Sequence, residues 1–131
     1  MRYFFRYWLP MFAQMTLIFF LSSQSTFPQE IPVWMFYFDK AVHAILFGLL
    51  CFLLLRAWVA GEWAKTTNLT FSLSILFTTL YGVSDEIHQR FVPGRTPSLG
   101  DVTADAAGAI LVCLAIWAIQ LRRLPEDNVI L

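Results

Sequence analysis

The chain is predicted to be an all-α integral membrane bundle of four transmembrane helices with both termini in the cytoplasm. Three observations predict this. Of its 131 residues 58% are hydrophobic and only 14% charged, against about 45–50% and 25% in soluble domains. The apolar residues fall into four windows of about 20 residues, the length that carries a helix across a hydrocarbon core of ~30 Å. The basic residues are asymmetrically placed between those windows. One domain over residues 1–131 accounts for the length. A net charge of zero and the lack of a basic block argue against nucleic-acid binding.

The first window runs from about Phe4 to Ser22, interrupted by Pro10 and Gln14. Arg2 and Arg6 ahead of it resemble the start of a signal peptide, but no Ala-x-Ala site follows, so an uncleaved first span is expected. The second window covers about Ala41 to Ala60, the third starts near Leu69, and the fourth ends before Arg122-Arg123, with Pro125 barring continuation. The connection between the first two holds Pro28, Pro32 and the run Trp34 to Phe38, and part of it is expected to lie in the interface. Cys51 and Cys113 lie in mid-span with no CxxC spacing and read as small buried hydrophobes.

Four spans place both termini on one side. That side carries Arg2, Arg6, Arg56, Lys65, Arg122 and Arg123; the other carries Lys40, Arg90 and Arg95. Six against three makes it the cytoplasmic side. Trp8, Trp58 and Trp63 then fit the inner aromatic belt, Trp34 and Tyr37 the outer one.

On the outer side three segments distant in sequence deliver polar residues to one region. Lys40, His43 and Phe47 share a face of the second helix, with Asp39 four residues before His43 and placed to fix its tautomer. Asp85 and Gln89 share a face at the end of the third, as do Glu86 and Arg90, with His88 beside them. Pro93-Gly94 reads as a turn that aims Arg95 back over the helix ends. Ser98-Leu99-Gly100-Asp101 fits a capping box opening the fourth helix. Asp105 follows one turn inside, and Gly108 permits close helix approach. Carboxylates at bilayer depth cost about 2.5–3.5 kcal/mol each on insertion scales, so such groups are paired, hydrated or used.

Five carboxylates, Asp39, Asp85, Glu86, Asp101 and Asp105, face three fixed cations, Lys40, Arg90 and Arg95. The excess implies a shared proton, a protonated histidine or an imported cation. No tight ligand spacing such as HExxH exists, so no metal or other cofactor is assigned. The expected ligand-binding residues are Lys40, His43, Asp85, Glu86, Gln89, Arg95, Asp101 and Asp105. The acid/base candidates are Asp85, Glu86, His43 and Asp105.

These residues resemble the VanZ-like family of small bacterial membrane proteins. The similarity lies in Asp39-Lys40-x-x-His43 with Phe47, in Ser84-Asp85-Glu86-x-x-Gln89-x-Phe91-x-Pro93-Gly94-Arg95, in Ser98-x-x-Asp101-x-x-x-Asp105-x-x-Gly108 and in Ser22-Ser23-Gln24. Asparagine is common in the family where this chain has Asp105. The resemblance implies a multi-pass protein of the bacterial inner membrane with an extracytoplasmic polar site and cell-envelope work, the named member being associated with teicoplanin resistance. The leading expectation is a protein that binds or modifies an anionic lipid or cell-wall precursor through Lys40, Arg95 and the N-terminus of the fourth helix. The alternative is a membrane-embedded acid/base or metal-dependent hydrolase or transferase acting on lipid-linked substrates. A proton- or ion-coupled transporter is a third reading, weakened by four short spans without inverted repeats.

Overall fold

The computed structural model describes residues 1–25, 33–60 and 67–122, with backbone alone for 33–37. All regular structure among them is helical. The chain opens with a π-helical turn, Phe4–Trp8, followed by α1 (Leu9–Ser22), α2 (Val33–Ala60), α3 (Asn68–Gln89) and α4 (Leu99–Leu121). Pro10 lies in the first turn of α1, where its missing N–H costs nothing, and the preceding turn widens so that Leu9 N–H bonds back to the Phe4 carbonyl. The predicted interruption at Pro10 is therefore a change of helix type. α2 starts eight residues earlier than its apolar window, because the aromatic run continues the helix. The belt side chains Trp34, Tyr37 and Trp63, and also Lys65, Arg123 and Pro125, lie outside the described residues.

Phe4–Ser22, Phe38–Ala60 and Leu99–Leu121 are long and apolar enough to cross a membrane. The four predicted spans thus become three on length and composition, and α3 is the one that falls short. Its mean is lowered by Thr70, Ser74, Thr78, Asp85, Glu86 and Gln89, which with Gly82 form one stripe along the helix and are all buried. The opposite face, with Leu69, Leu76, Phe77, Leu80 and Ile87, is more than half exposed. α3 is thus inside-out relative to a soluble helix: its polar stripe packs inward and its apolar stripe points out.

α2 and α4 form the tightest pair. A methyl group at Gly108 would collide with the backbone carbonyl of Ala44, so only glycine lets the two helices approach this closely. Cys51, Ala109 and Cys113 fill the core of that pair, and the two free thiols lie 3.7 Å apart. A second cluster, Met11, Ile18, Phe47, Leu50 and Leu54, joins α1 to α2. Polar groups tie α1 to both neighbours: Gln14 donates to the Leu46 carbonyl of α2 at 3.0 Å, and Tyr81 of α3 donates to the Met15 carbonyl at 2.8 Å. At the other end Arg56 stacks over the Tyr7 ring at 4.9 Å, and Tyr3 donates to the Ala57 carbonyl at 2.6 Å. About 20 Å of α2, at 1.5 Å per residue, separates Arg56 from His43.

Candidate functional site

His43 on α2 and Asp105 on α4 form the centre of the site, with Nδ1 and Oδ1 3.0 Å apart. Asp105 is fully buried, and Gly82 of α3 makes room for its carboxylate: a Cβ there would overlap the acid. Asp105 accepts from the Nδ1–H of His43, so in the neutral ring Nε2 carries the free lone pair. The imidazole is also held from the side. It lies nearly parallel to Phe47, centroids 6.0 Å apart, and Phe47 packs on Tyr81 at 6.1 Å. The sequence assigned tautomer control to Asp39, one turn away. The acid that performs it comes from another helix, sixty-two positions later.

Lys40 bridges two carboxylates. Its ammonium bonds closely to Asp101 and lies 3.3 Å from Asp39. Asp39, His43 and Asp101 offer three ligand atoms within 4.8 Å of one another, a donor set of the kind that binds Zn²⁺. The Lys40 ammonium is shared between those two carboxylates, so the arrangement is an ion-paired cluster with a neighbouring histidine. Asp101 was expected to close a capping box. It pairs with Lys40 instead, and its Oδ1 also lies 3.9 Å from His43 Nε2.

The start of α4 is completed from α3. Ser98 caps the helix by accepting from Gly100 N at 3.0 Å, as predicted, while its own N–H donates to Glu86 Oε2 at 2.7 Å. Glu86 therefore occupies the anion position that the sequence reserved for a headgroup at this helix N-terminus. Glu86 is buried inside the bundle and Arg90 is exposed, so the expected surface pair gives way to this contact. Asp85 and Gln89 are joined as their spacing implies, Gln89 Nε2 donating to Asp85 Oδ2 at 2.9 Å.

The end of α1 forms a fourth wall. Arg95, in the turn after Gly94 (φ 82°), donates to the carbonyls of Leu21 and Gln24 at 2.9 and 3.1 Å. It thus caps α1 where a bidentate carboxylate or phosphate contact was expected. Burial lowers the pKa of its guanidinium, while Asp39, Asp85, Asp101 and Glu86 raise it. It stays charged at any physiological pH. His88 faces the same helix end, 3.0 Å from Ser23 Oγ and stacked on Phe19 at 4.4 Å. This assigns His88 to joining α1 and α3. Sequence reasoning missed α1 as part of the site, because the groups that Arg95 reads are backbone carbonyls, which leave no mark in the sequence.

Between these walls lies a cavity of about 250 Å³. His43, Asp85, Gln89 and Arg95 line it, with Asp39, Ser22 and Gln24 at its rim and Ile18, Leu21, Val42, Leu46 and Phe47 on its apolar side. Lys40, Glu86, Asp101 and Asp105 are not among its lining residues: Asp105 holds His43, Lys40 joins Asp39 to Asp101, and Glu86 holds the start of α4. Of the three predicted cations only Lys40 and Arg95 belong to the cluster, so the carboxylate excess is larger than the sequence suggested. Two buried acid oxygens, Glu86 Oε1 and Asp105 Oδ2, have no hydrogen-bond partner among the described residues. Such atoms in a native interior call for water, a proton or a ligand.

A helical bundle with three helices long and apolar enough to cross a membrane belongs to the class of membrane proteins. The sequence model of the VanZ/LLP1 family matches residues 3–120, and the chain belongs to that family. No curated protein and no solved structure matches it.

Proposed function

We propose that this VanZ-like protein holds the polar headgroup of a membrane amphiphile in the cavity and exchanges protons with it through His43. One observation carries the reading: a histidine fixed by a buried aspartate lines a cavity that is polar on one side and apolar on the other. Amphiphile headgroups have that dual character at the membrane boundary. Asp39 and Asp85 suit hydroxyl or amine donors, and Arg95 supplies a positive charge in the wall. Lys40 is engaged with Asp39 and Asp101, and the α4 N-terminus with Glu86. These commitments favour a zwitterionic or hydroxylated headgroup over the simple anion that the sequence suggested.

Among the described residues the cavity end carries Lys40, Arg90 and Arg95, and the opposite end carries Arg2, Arg6, Arg56 and Arg122. This supports cytoplasmic termini, an extracytoplasmic site and an envelope role in the bacterial inner membrane. The inside-out pattern of α3 supports its crossing the bilayer alongside the other three helices.

The enzymatic reading, a hydrolase or transferase acting on lipid-linked substrates, is favoured by the same pair of residues. With Nδ1–H held by Asp105, Nε2 is left to take a proton from a water or hydroxyl in the cavity.

Full-length protein labelled with ¹⁵N-histidine in lipid nanodiscs tests the binding reading. A headgroup that enters the cavity moves the His43 resonances and leaves those of His88 in place. His43 signals that stay fixed across zwitterionic, anionic and glycosylated lipids would end the reading.

A further inference from the structure

A second space lies directly beneath the cavity. It is an apolar groove of about 330 Å³ with Met11, Met15, Leu50, Leu54, Phe77 and Tyr81 among its walls. Groove and cavity are built on the same three helices, in consecutive turns. On α1 the topmost groove residue, Met15, is three positions from Ile18 of the cavity; on α2 Leu50 is three from Phe47; on α3 Tyr81 is four from Asp85. Residues three and four apart share a helix face, so the two spaces open along one seam. Phe47 and Tyr81, 6.1 Å apart, mark the narrowing between them.

Depth fits as well. From His43 in the cavity to Leu54 in the groove is eleven residues of α2, about 16 Å at 1.5 Å per residue. Half of a ~30 Å hydrocarbon core is nearly the same distance. A chain descending from a headgroup in the cavity therefore reaches the level of the groove within one leaflet.

We infer that the groove seats one acyl chain of the amphiphile whose headgroup enters the cavity, so that cavity and groove form a single two-part lipid site. This rests on the headgroup reading and extends it from the head to the tail. The groove walls are almost wholly apolar and reach the depth of one leaflet, so the occupant assigned to it is an acyl chain, a polyprenyl chain being an outcome of the test. Gln14 ties α1 to α2 and Tyr81 ties α3 to α1, which fixes the three helices that wall both spaces.

The experiment uses the full chain in nanodiscs doped with phosphatidylethanolamine that carries a diazirine near the end of one acyl chain. Adducts are mapped by mass spectrometry after irradiation. Labelling is expected at Met11 and Leu54, with a tenfold loss in Met15→Trp, which fills the groove. Adducts at Leu111 and Leu114, which are exposed on α4, stay unchanged. Met15→Phe, a smaller infill, is expected to give an intermediate loss and keeps the test open should the tryptophan variant not fold. Labelling of Met11 and Leu54 that is insensitive to both variants overturns the inference, since these residues then see only bulk lipid. So does labelling there by a polyprenyl phosphate diazirine alone. Modification of His43 by diethylpyrocarbonate reads the cavity separately. Lipid protection of His43 without groove adducts sinks the tail inference alone, whereas no protection in any lipid sinks the headgroup reading with it.

Discussion

His43 Nδ1 lies 3.0 Å from the Oδ1 of Asp105, a contact between α2 and α4 that orients the imidazole from a fully buried carboxylate. An amide oxygen can accept the same hydrogen, so an asparagine in this place would keep the geometry. Asp105→Asn is expected to cost less than about 1 kcal/mol and to preserve the Nδ1–H tautomer. Asp105→Ala strands a buried N–H and should cost about 1–3 kcal/mol. Unfolding in mixed micelles and the ¹⁵N shifts of His43 check both, and equal effects of the two variants would contradict the assignment.

Lys40 is the counter-ion for Asp101 and Asp39, and the Asp101 side chain is only 6% exposed. Lys40→Met leaves a buried carboxylate uncompensated and should destabilise by about 3 kcal/mol. Lys40→Met combined with Asp101→Leu should recover most of that loss, because the carboxylate still lacking its partner, Asp39, is 37% exposed and solvated. A double-mutant cycle on unfolding free energies measures the coupling, and additive effects would show that the pair is not formed.

Gly108 faces the Ala44 carbonyl with no room for a side chain. The obstacle is backbone, which cannot swing aside, so Gly108→Ala should separate α2 from α4 and cost about 3 kcal/mol or more. A loss of thermal stability together with weakened contact between His43 and Asp105 is the expected signature.

Cys51 and Cys113 place their sulfurs 3.7 Å apart in the α2–α4 core. A disulfide needs about 2.05 Å, a small displacement for two facing thiols. Mild oxidation in membranes should join them within one chain, seen as the loss of two maleimide sites after denaturation. Gly108→Ala should slow the reaction by parting the helices. Two thiols that remain free under oxidants able to enter the bilayer would contradict this helix register.

Much of this arrangement was legible from residue spacing. Asp85 with Gln89, the cap at Ser98, the turn before Arg95 and the close approach at Gly108 all follow from local rules, and all are present. The convergence of the polar residues on one end followed from counting spans. What escaped was the choice of long-range partners. Asp39 and Asp105 are both plausible for His43, and only packing decides between them. Glu86 could meet Arg90 locally or Ser98 across a turn, and burial selects the second. α3 reads in the sequence as a window starting near Leu69; its hydroxyls are spread along the sequence, and only on the helix do they gather into one inward stripe, which is why it falls short of the other three in mean hydropathy. The two cysteines gave no spacing signal, since their meeting depends on how α2 and α4 cross.

The arrangement is tested most directly by an experimental structure of the full chain in lipid nanodiscs. Non-protein density should lie among His43, Asp85, Gln89 and Arg95, with the His43–Asp105 contact intact behind it. A cavity filled by the protein's own side chains, or His43, Asp85 and Asp105 held apart beyond contact, would contradict it.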